Sequence, residues 1–165
     1  MKVHQLMSRD VKSCRPDESL AAAARLMWDF DCGAIPVVDD ERRVLGVITD
    51  RDICMAAMHS GRPLHEMRIA ESMSQTVIHT RAWDGVDEAL ALMARARVRR
   101  LPVIEAQGKL AGVISLTDLA KAAERERGLF PPLRLKDIGR VLATISHRPR
   151  PAAEMLPPAT AYAEE

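Results

Sequence analysis

The chain has 165 residues, and 47% of them are hydrophobic, which is enough apolar material for one compact domain or two small ones that share a core. Its 24 basic and 23 acidic residues nearly cancel and only 3% are aromatic, so the composition disfavours nucleic-acid binding through a basic surface or through base stacking. No run is apolar enough to span a bilayer, the amino terminus lacks the apolar core of a signal peptide, and three cysteines imply no disulfide framework, so we expect a cytoplasmic protein without a membrane partner.

The first part of the chain predicts one β-α-β-β-α unit. Its strands are short, apolar and β-branched, and a polar turn, Asp-Asp-Glu-Arg-Arg, separates them. Its first long helix follows Pro16 and carries apolar residues at helical spacing. The predicted elements are a leading helix at 3–7, an extended piece at 11–14, a helix from about Asp17, strands at 34–38 and 44–48, and a closing helix from Asp50.

A joining segment with Gly61 and Pro63 leads to a second unit of the same order. Asp84 is predicted to be the N-cap of its first long helix, with Asp87 three residues further on. The predicted elements are a leading helix at 69–73, an extended piece at 77–80, the capped helix, strands at 101–104 and 110–114, and a closing helix from Leu116.

The two units are copies of each other, aligned without a gap at a spacing of 66 residues. Three of the matched pairs are Pro36 with Pro102, Gly46 with Gly112, and Asp52 with Asp118. Since neither copy alone can bury much surface, we expect them to pack together. The predicted division is a first domain at 1–60, a linker at 61–68 and a second domain at 69–125.

The rest of the chain has a different character. Residues 126–146 predict a charged link followed by an amphipathic helix, Leu133–Ile145, with its apolar side chains on one face. Residues 147–165 are rich in proline and alanine and predict a disordered tail.

Two matching segments carry a family resemblance: GAIPVVDDERRVLGVITDRDI in the first copy and RRLPVIEAQGKLAGVISLTDL in the second. Over residues 1–125 the chain resembles the CBS domain family, named after cystathionine β-synthase, in its tandem form, the Bateman module. The resemblance implies an α/β (α+β) fold in which two β-α-β-β-α units are related by a pseudo-two-fold axis and pack through their sheets. It also implies a regulatory, energy- or metabolite-sensing module that binds AMP, ADP or ATP between the units, forms a homodimer and controls an effector protein.

By the same resemblance, Asp52 and Asp118 bind the two hydroxyls of a ribose, and Thr49, Ser115 and Thr117 assist. A helix amino terminus also suits an anion. A purely structural role competes with this interpretation, because Thr-x-x-Asp and Ser-x-x-Asp are capping-box spacings. Spacing alone favours the cap, and the two roles are compatible.

Arg99 and Arg100 come directly before the apolar strand of the second copy and could clamp phosphates. The matching positions of the first copy are Gly33 and Ala34, so the two clefts should differ in how they handle phosphates. A solvated basic edge is the competing interpretation.

The resemblance further implies a flat apolar slot for the adenine ring. Core packing explains the same residues without any ligand. The residues expected to line the slot are Ala23, Ala89, Ile35 and Leu101.

Enzyme activity is not expected, because the sequence has no P-loop, no nucleotide-binding glycine motif and no ligand-like spacing among its histidines and cysteines. No metal or required cofactor is predicted, and the cysteines are expected to be small buried hydrophobic residues. S-adenosylmethionine or NAD are alternative ligands, and a ligand-free interaction or dimerisation scaffold is the alternative function. A DNA-linked regulator has little support, since no helix-turn-helix pattern accompanies its candidate residues, Arg134, Lys136, Arg140, Arg148 and Arg150.

Overall fold

A computed structural model describes residues 1–125 and 133–147 of the chain. In those residues, each unit contributes a helix, a two-stranded hairpin and a closing helix. The first unit contains α1 (Leu20–Asp29), β1 (Ala34–Val38), β2 (Val44–Thr49) and α2 (Asp50–Ser60). The second contains β3 (Thr80–Arg81), α3 (Val86–Ala96), β4 (Arg100–Ile104), β5 (Leu110–Ser115) and α4 (Leu116–Arg125), and α5 (Leu135–Ser146) follows. The predicted link at 126–132 and the tail from residue 148 lie outside the described residues.

The sheets of the two units follow one plan. β1 pairs antiparallel with β2, and β4 pairs antiparallel with β5 in the same register. β3 runs parallel to β4, and in the first unit Cys14 makes the matching parallel bridge to Val37. The predicted α/β fold of two β-α-β-β-α units is therefore confirmed.

The main-chain bridges between the units occur in exchanged pairs, which is the signature of a pseudo-two-fold axis. In each pair of bridges, the residues of one bridge are the equivalents, 66 positions away, of the residues of the other. Arg43 bridges to its own equivalent, Lys109. The exchanged bridges are Lys2–Gly85 with Ser19–Arg68, and Ser8–Val113 with Val47–Ser74. The leading segment of each unit consequently packs on the other unit.

The hydrophobic cores show the same exchange. Val3 and Met7 are buried in the core of the second unit, while Met67 and Ile69 are buried in the core of the first. The predicted limits of the two domains stay a prediction. The leading segments connect the two units through shared hydrophobic cores as well as through the chain itself.

A glycine is required where each leading segment crosses a strand. A Cβ atom at Gly46 would overlap the carbonyl oxygen of Ser74, and one at Gly112 would overlap that of Ser8. This close backbone approach explains why the sequence repeats glycine at this position in both copies.

Several predicted helix starts were wrong. α1 begins at Leu20 rather than near Asp17, because the Ser19 hydroxyl accepts the Ala22 N–H at 3.2 Å and caps it. α3 has Gly85 as N-cap rather than Asp84, and the Glu88 carboxylate accepts the Gly85 N–H at 2.8 Å.

The leading helices and the carboxy-terminal helix also differ from their predicted limits. The leading elements are single 3-10 turns, Val3–Gln5 and Ile69–Glu71. α5 starts at Leu135, two residues later than predicted.

α5 makes the two units unequal. It packs against α3 and α4 and adds Leu133, Ile138 and Ile145 to the core of the second unit. After α2, the first unit has instead a 3-10 turn, Leu64–Glu66, against α1.

Candidate functional site

The candidate site of the first unit lies where β2 ends and α2 begins. Thr49 is the N-cap of α2, and the Asp52 N–H donates to its hydroxyl at 3.2 Å. In return, the Thr49 N–H and hydroxyl both donate to Asp52 Oδ2, at 3.0 and 2.6 Å. The predicted capping box is therefore present.

The second unit repeats this arrangement. The Ser115 N–H and hydroxyl donate to Asp118 Oδ2 at 2.9 and 2.6 Å, and the Asp118 N–H donates to the Ser115 hydroxyl at 3.2 Å. Both aspartates are half-buried, and neither Oδ1 atom has a partner among the described residues. Each aspartate thus holds one oxygen in the cap and keeps the other available as an acceptor.

The hydroxyls of Thr49 and Ser115 are more restricted than the sequence suggested. Each has already donated its only proton to an aspartate. Towards a ligand, each hydroxyl can therefore only accept a hydrogen bond. Thr117 is exposed in the first turn of α4, and its equivalent in the first unit is Arg51.

Arg100 reaches from the second unit towards the first. A Cβ atom at Gly33 would lie 3.8 Å from Arg100 Nη1 and 2.8 Å from Asp50 Oδ2. The guanidinium group therefore lies beside the amino-terminal end of α2, and a side chain at position 33 would contact it and crowd the Asp50 carboxylate. Arg99 is exposed too, and its carbonyl oxygen accepts the Leu116 N–H at 3.0 Å, joining β4 to the start of α4.

The four residues predicted to line an adenine slot are buried in the hydrophobic cores. None has more than 1% of its surface exposed. Ala23 and Ile35 belong to the core of the first unit, and Ala89 and Leu101 to that of the second. A contact with a ligand would require these cores to open, so core packing accounts for these positions in this structure.

Asp118 also lines a cavity of about 270 Å³ between α4 and the leading segment. Lys121 and Arg125 line it as well, three and seven residues after Asp118 on one face of α4, with Gln5 opposite. Sequence reasoning missed these two cations, although their helical spacing from Asp118 was a signal that could have found them. Their equivalents in the first unit are Met55 and His59, so the second unit is the more basic of the two.

The cysteines differ from one another. Cys14 is buried, and its burial, followed by the nearby charge of Glu18, raises the pKa of the thiol to about 12, which keeps it protonated and unreactive. Cys32 is half-buried and Cys54 is exposed, so the prediction of a small buried residue holds for Cys14 alone.

Two further features follow from the part of the chain that the structure describes. No group of three or more histidine, cysteine or acidic side chains is arranged to hold a metal ion in residues 1–125 and 133–147. No helix in the same ranges has the length and apolar character needed to cross a bilayer.

Sequence comparison places this geometry in a known family. The CBS domain pattern matches residues 3–59 and 73–125. The chain therefore belongs to the CBS domain family and contains a tandem pair of these domains, a module of the regulatory kind.

A similar region occurs in a much longer protein. Inosine-5'-monophosphate dehydrogenase of Mycobacterium leprae is 36% identical over 133 residues, which are 79% of this chain and 23% of that enzyme. The chain thus spans about a quarter of the length of that relative.

Solved structures share the fold. A putative signal-transduction protein with CBS domains from Burkholderia ambifaria superposes with a TM-score of 0.70 and 29% identity, covering 79% of this chain and 98% of that one. CBSX2 in complex with AMP superposes with a TM-score of 0.69 and 23% identity, over 77% of this chain and 98% of that one.

Proposed function

We propose that this CBS pair is a regulatory module that binds an adenine nucleotide, AMP, ADP or ATP, at the amino-terminal ends of α2 and α4. The observation that supports this proposal is the pair of equivalent aspartates, Asp52 and Asp118. In each, one carboxylate oxygen is held by the capping hydrogen bonds and the other is available as an acceptor. An acceptor that is already held in place can take the hydroxyls of a ribose without first losing side-chain freedom. The role is not catalytic and requires no cofactor.

The phosphates should bind better in the second unit. There Lys121 and Arg125 follow Asp118 along α4 and line the same cavity, whereas the first unit has Met55 and His59 at these positions. Arg100 adds a guanidinium group close to Gly33, at the start of α2, the helix that carries Asp52 in the first unit. Arg99 and Arg100 form no ion pair with any residue of the described ranges, which leaves both available to an anion.

The ligand class to test comes from the fold as well as from the site. A CBS pair of this fold has been solved with AMP, which supports a nucleotide as the first candidate. S-adenosylmethionine and NAD also carry an adenosine and are the alternatives. S-adenosylmethionine has a sulfonium group and an amino acid in place of the phosphates, and NAD has its diphosphate between two nucleosides, so both would make less use of the cations around Asp118.

Regulation would follow from a population shift. A nucleotide that contacts both units stabilises the arrangement it binds best, and it acts only through that difference in affinity. We propose that the output passes to a separate effector protein in the cytoplasm.

We also propose a homodimer through the helices of the first unit. Trp28 and Met58 are 86% and 65% exposed there, whereas α5 covers α3 and α4 in the second unit. A second copy of the chain could bury these side chains in a two-fold contact. Light scattering should report a dimer that Trp28→Lys converts to a monomer, and a wild type that stays monomeric at high concentration would contradict the proposal.

The nucleotide proposal is tested by thermal unfolding with AMP, ADP, ATP, S-adenosylmethionine and NAD. A ligand at about a hundred times its dissociation constant adds roughly 2.7 kcal/mol, a midpoint rise on the order of 5–10 °C. The informative variants are Asp52→Asn and Asp118→Asn. An asparagine oxygen can still accept the capping hydrogen bonds, while the negative charge is lost.

The two roles of the aspartates give different results. If they bind ribose, both asparagine variants lower the stability of the free protein only slightly, by up to about 1 kcal/mol for the lost charge at the helix amino terminus, and lose most of the nucleotide-induced rise in the midpoint. If no nucleotide raises the midpoint of wild-type protein stripped of bound ligand, the aspartates are helix caps only, and the interaction scaffold is the better description.

A further inference from the structure

A second cleft lies at the opposite end of β4 from Arg99 and Arg100. It has a volume of about 520 Å³ and opens between the end of β3 and the turn that joins β4 to β5. Its lining includes Arg81, Trp83 and Glu105, together with the turn residues 106–108. This volume falls in the range of small-molecule sites. We call it the Arg81 cleft.

In the first unit, ion pairs fill the position that is equivalent to the Arg81 cleft. Arg15, the equivalent of Arg81, forms ion pairs with Asp17 at 3.4 Å and with Asp40. The residues that match these two acids in the second unit are Trp83 and Ala106. The second unit therefore lacks both acidic partners of this arginine.

Arg81 is left with a guanidinium group that makes no ion pair or side-chain hydrogen bond to the described residues. The backbone N–H of Arg81 donates to Asp84 Oδ2 at 2.7 Å, and this bond does not involve the guanidinium group. An exposed guanidinium group beside a cavity is a natural partner for a carboxylate, which it can bind through two parallel hydrogen bonds.

Trp83 supplies a flat surface two residues further along. Its indole is 73% exposed, yet it is held from one side by the ring of His4, at 4.3 Å between ring centroids. His4 is fixed in turn, because its Nδ1 lies 3.1 Å from the carbonyl oxygen of Ala82. The indole is thus a supported aromatic surface, suited to an apolar ring.

The turn over the cleft also has no charged side chain at residues 106–108. The first unit has Asp40, Glu41 and Arg42 at this turn, and the second has Ala106, Gln107 and Gly108. Among the described residues, Glu105 is the one carboxylate that lines the cleft, and it would repel a ligand of high negative charge. A single negative charge fits the site better than a polyphosphate does.

We propose that the Arg81 cleft binds a small planar carboxylate, with the carboxylate on Arg81 and the ring on Trp83. This site is separate from the nucleotide site and does not depend on it. It belongs to the second unit alone, since the Arg15 ion pairs fill the equivalent position in the first.

The test uses benzoate as the probe and the indole N–H signal of Trp83 as the readout. Trp28→Phe leaves Trp83 as the only tryptophan, so one indole signal is observed by nuclear magnetic resonance without nucleotide. We expect a saturable shift with a dissociation constant in roughly the millimolar range, as is usual for so small a ligand. Benzamide, which has the same ring and no charge, should bind about tenfold more weakly.

Three variants give effects of different sign. Arg81→Gln should weaken benzoate binding about tenfold, and Ala106→Asp should do the same by restoring the ion pair of the first unit. Glu105→Gln should strengthen binding about threefold, because it removes the repelling charge. All three positions are exposed, and unchanged unfolding midpoints would verify that the fold is kept.

The proposal is overturned if benzoate does not shift the Trp83 signal in a saturable way. It is equally overturned if benzamide shifts the signal as well as benzoate, or if Arg81→Gln leaves the affinity unchanged, since ring stacking alone would then explain the contact. None of these outcomes bears on nucleotide binding at Asp52 and Asp118.

Discussion

The two units share a backbone plan but differ in what lies on their helices. Leu90 and Ala123 of the second unit are buried in a core that α5 completes, at 7% and 8% exposure. Their equivalents in the first unit, Ala24 and Ala57, are half-buried. One unit is therefore closed by its own chain, and the other keeps an open helical surface.

The difference separates two kinds of position. The copies agree at several positions where the backbone imposes a requirement, as at the crossing glycines Gly46 and Gly112 and at the capping boxes of α2 and α4. They differ in many of the side chains that face solvent, as in the different partners of the equivalent residues Arg15 and Arg81. The shared positions maintain the fold, and the differing ones give each unit its own surroundings.

The largest expected effect concerns α5. Ile138→Ala should destabilise the protein by about 2–5 kcal/mol, because it leaves a cavity where a buried side chain completes the core of the second unit. Leu142→Ala on the same helix is the matched control, since Leu142 is 45% exposed, and it should cost no more than about 0.5 kcal/mol. Urea unfolding measures both.

Hydrogen exchange of Ile138→Ala then tests whether the units are energetically distinct. We expect amides of β4 and β5 to lose more protection than those of β1 and β2. Equal loss of protection in both sheets would show that the two units unfold together. The difference in how their helices are covered would then produce no difference in local stability.

The next effect tests the agreement between the copies. Gly46→Ala and Gly112→Ala should each cost about 1–3 kcal/mol, because the added methyl group overlaps a carbonyl oxygen of the crossing segment. Since the two crossings are equivalent, the costs should agree to within about 0.5 kcal/mol. Thermal or urea unfolding of the pair gives the comparison directly.

Gly139→Ala is the control for these glycines. It lies in α5 with nothing within 4 Å of the added Cβ atom, so it should stabilise the protein by up to about 1 kcal/mol. A cost at Gly46 without one at Gly112 would mean that the two leading segments do not cross the sheets in the same way.

Much of this fold could be predicted because it repeats. β-branched runs and polar turns gave the four hairpin strands to within a residue, as in β1 at Ala34–Val38, whereas β3 is Thr80–Arg81 and not the predicted 77–80. Most errors were at helix ends: Ser19 and Gly85 are the N-caps, whereas α1 was predicted to start near Asp17 and Asp84 was predicted to cap α3. Asp84 is used instead by the Arg81 N–H and the Thr80 hydroxyl, a competition that sequence spacing does not reveal.

The exchange of leading segments could not be predicted, because it depends on a non-local crossing. Val3 and Ile69 look like parts of their own units in sequence, yet each is buried in the other. Within the candidate site, spacing correctly gave both capping boxes. It could not show that Arg100 reaches Gly33, or that Ala23 and Ala89 have no exposed surface, since both facts depend on how the units pack.

A smaller effect concerns the two caps. Thr49→Ala and Ser115→Ala should each cost about 1 kcal/mol, because each leaves a helix N–H without its acceptor. Thr117→Ala is the control in the first turn of α4, where the exposed side chain has no capping bond, and it should change stability by less than about 0.5 kcal/mol. If the cap variants unfold at the wild-type denaturant concentration, the boxes do not stabilise the helices, and a ligand role for these residues gains weight.

The smallest expected effect is a pH dependence at Asp84. The hydrogen bond from the Arg81 N–H is the main cause that holds the pKa of Asp84 below the ordinary aspartate value of 3.8; burial opposes the shift, and the Thr80 hydroxyl assists it. Because the pKa is lower in the folded state, this carboxylate stabilises the protein above about pH 4 and loses its contribution as the pH falls below that value. Glu18 accepts the equivalent N–H, from Arg15, in the first unit at 2.7 Å.

Asp84→Asn keeps an acceptor for the Arg81 N–H and removes the titrating group. At pH 7 we expect the variant to be less stable than the wild type by no more than about 1 kcal/mol, because a charge-assisted hydrogen bond becomes a neutral one. At pH 3 this difference in the free energy of unfolding should be smaller. Urea unfolding at pH 7, 4 and 3 follows the gap between the variant and the wild type. A gap of constant size across this range would show that the carboxylate of Asp84 titrates alike in the folded and unfolded chains, so that its hydrogen bonds fix the turn without favouring the charge.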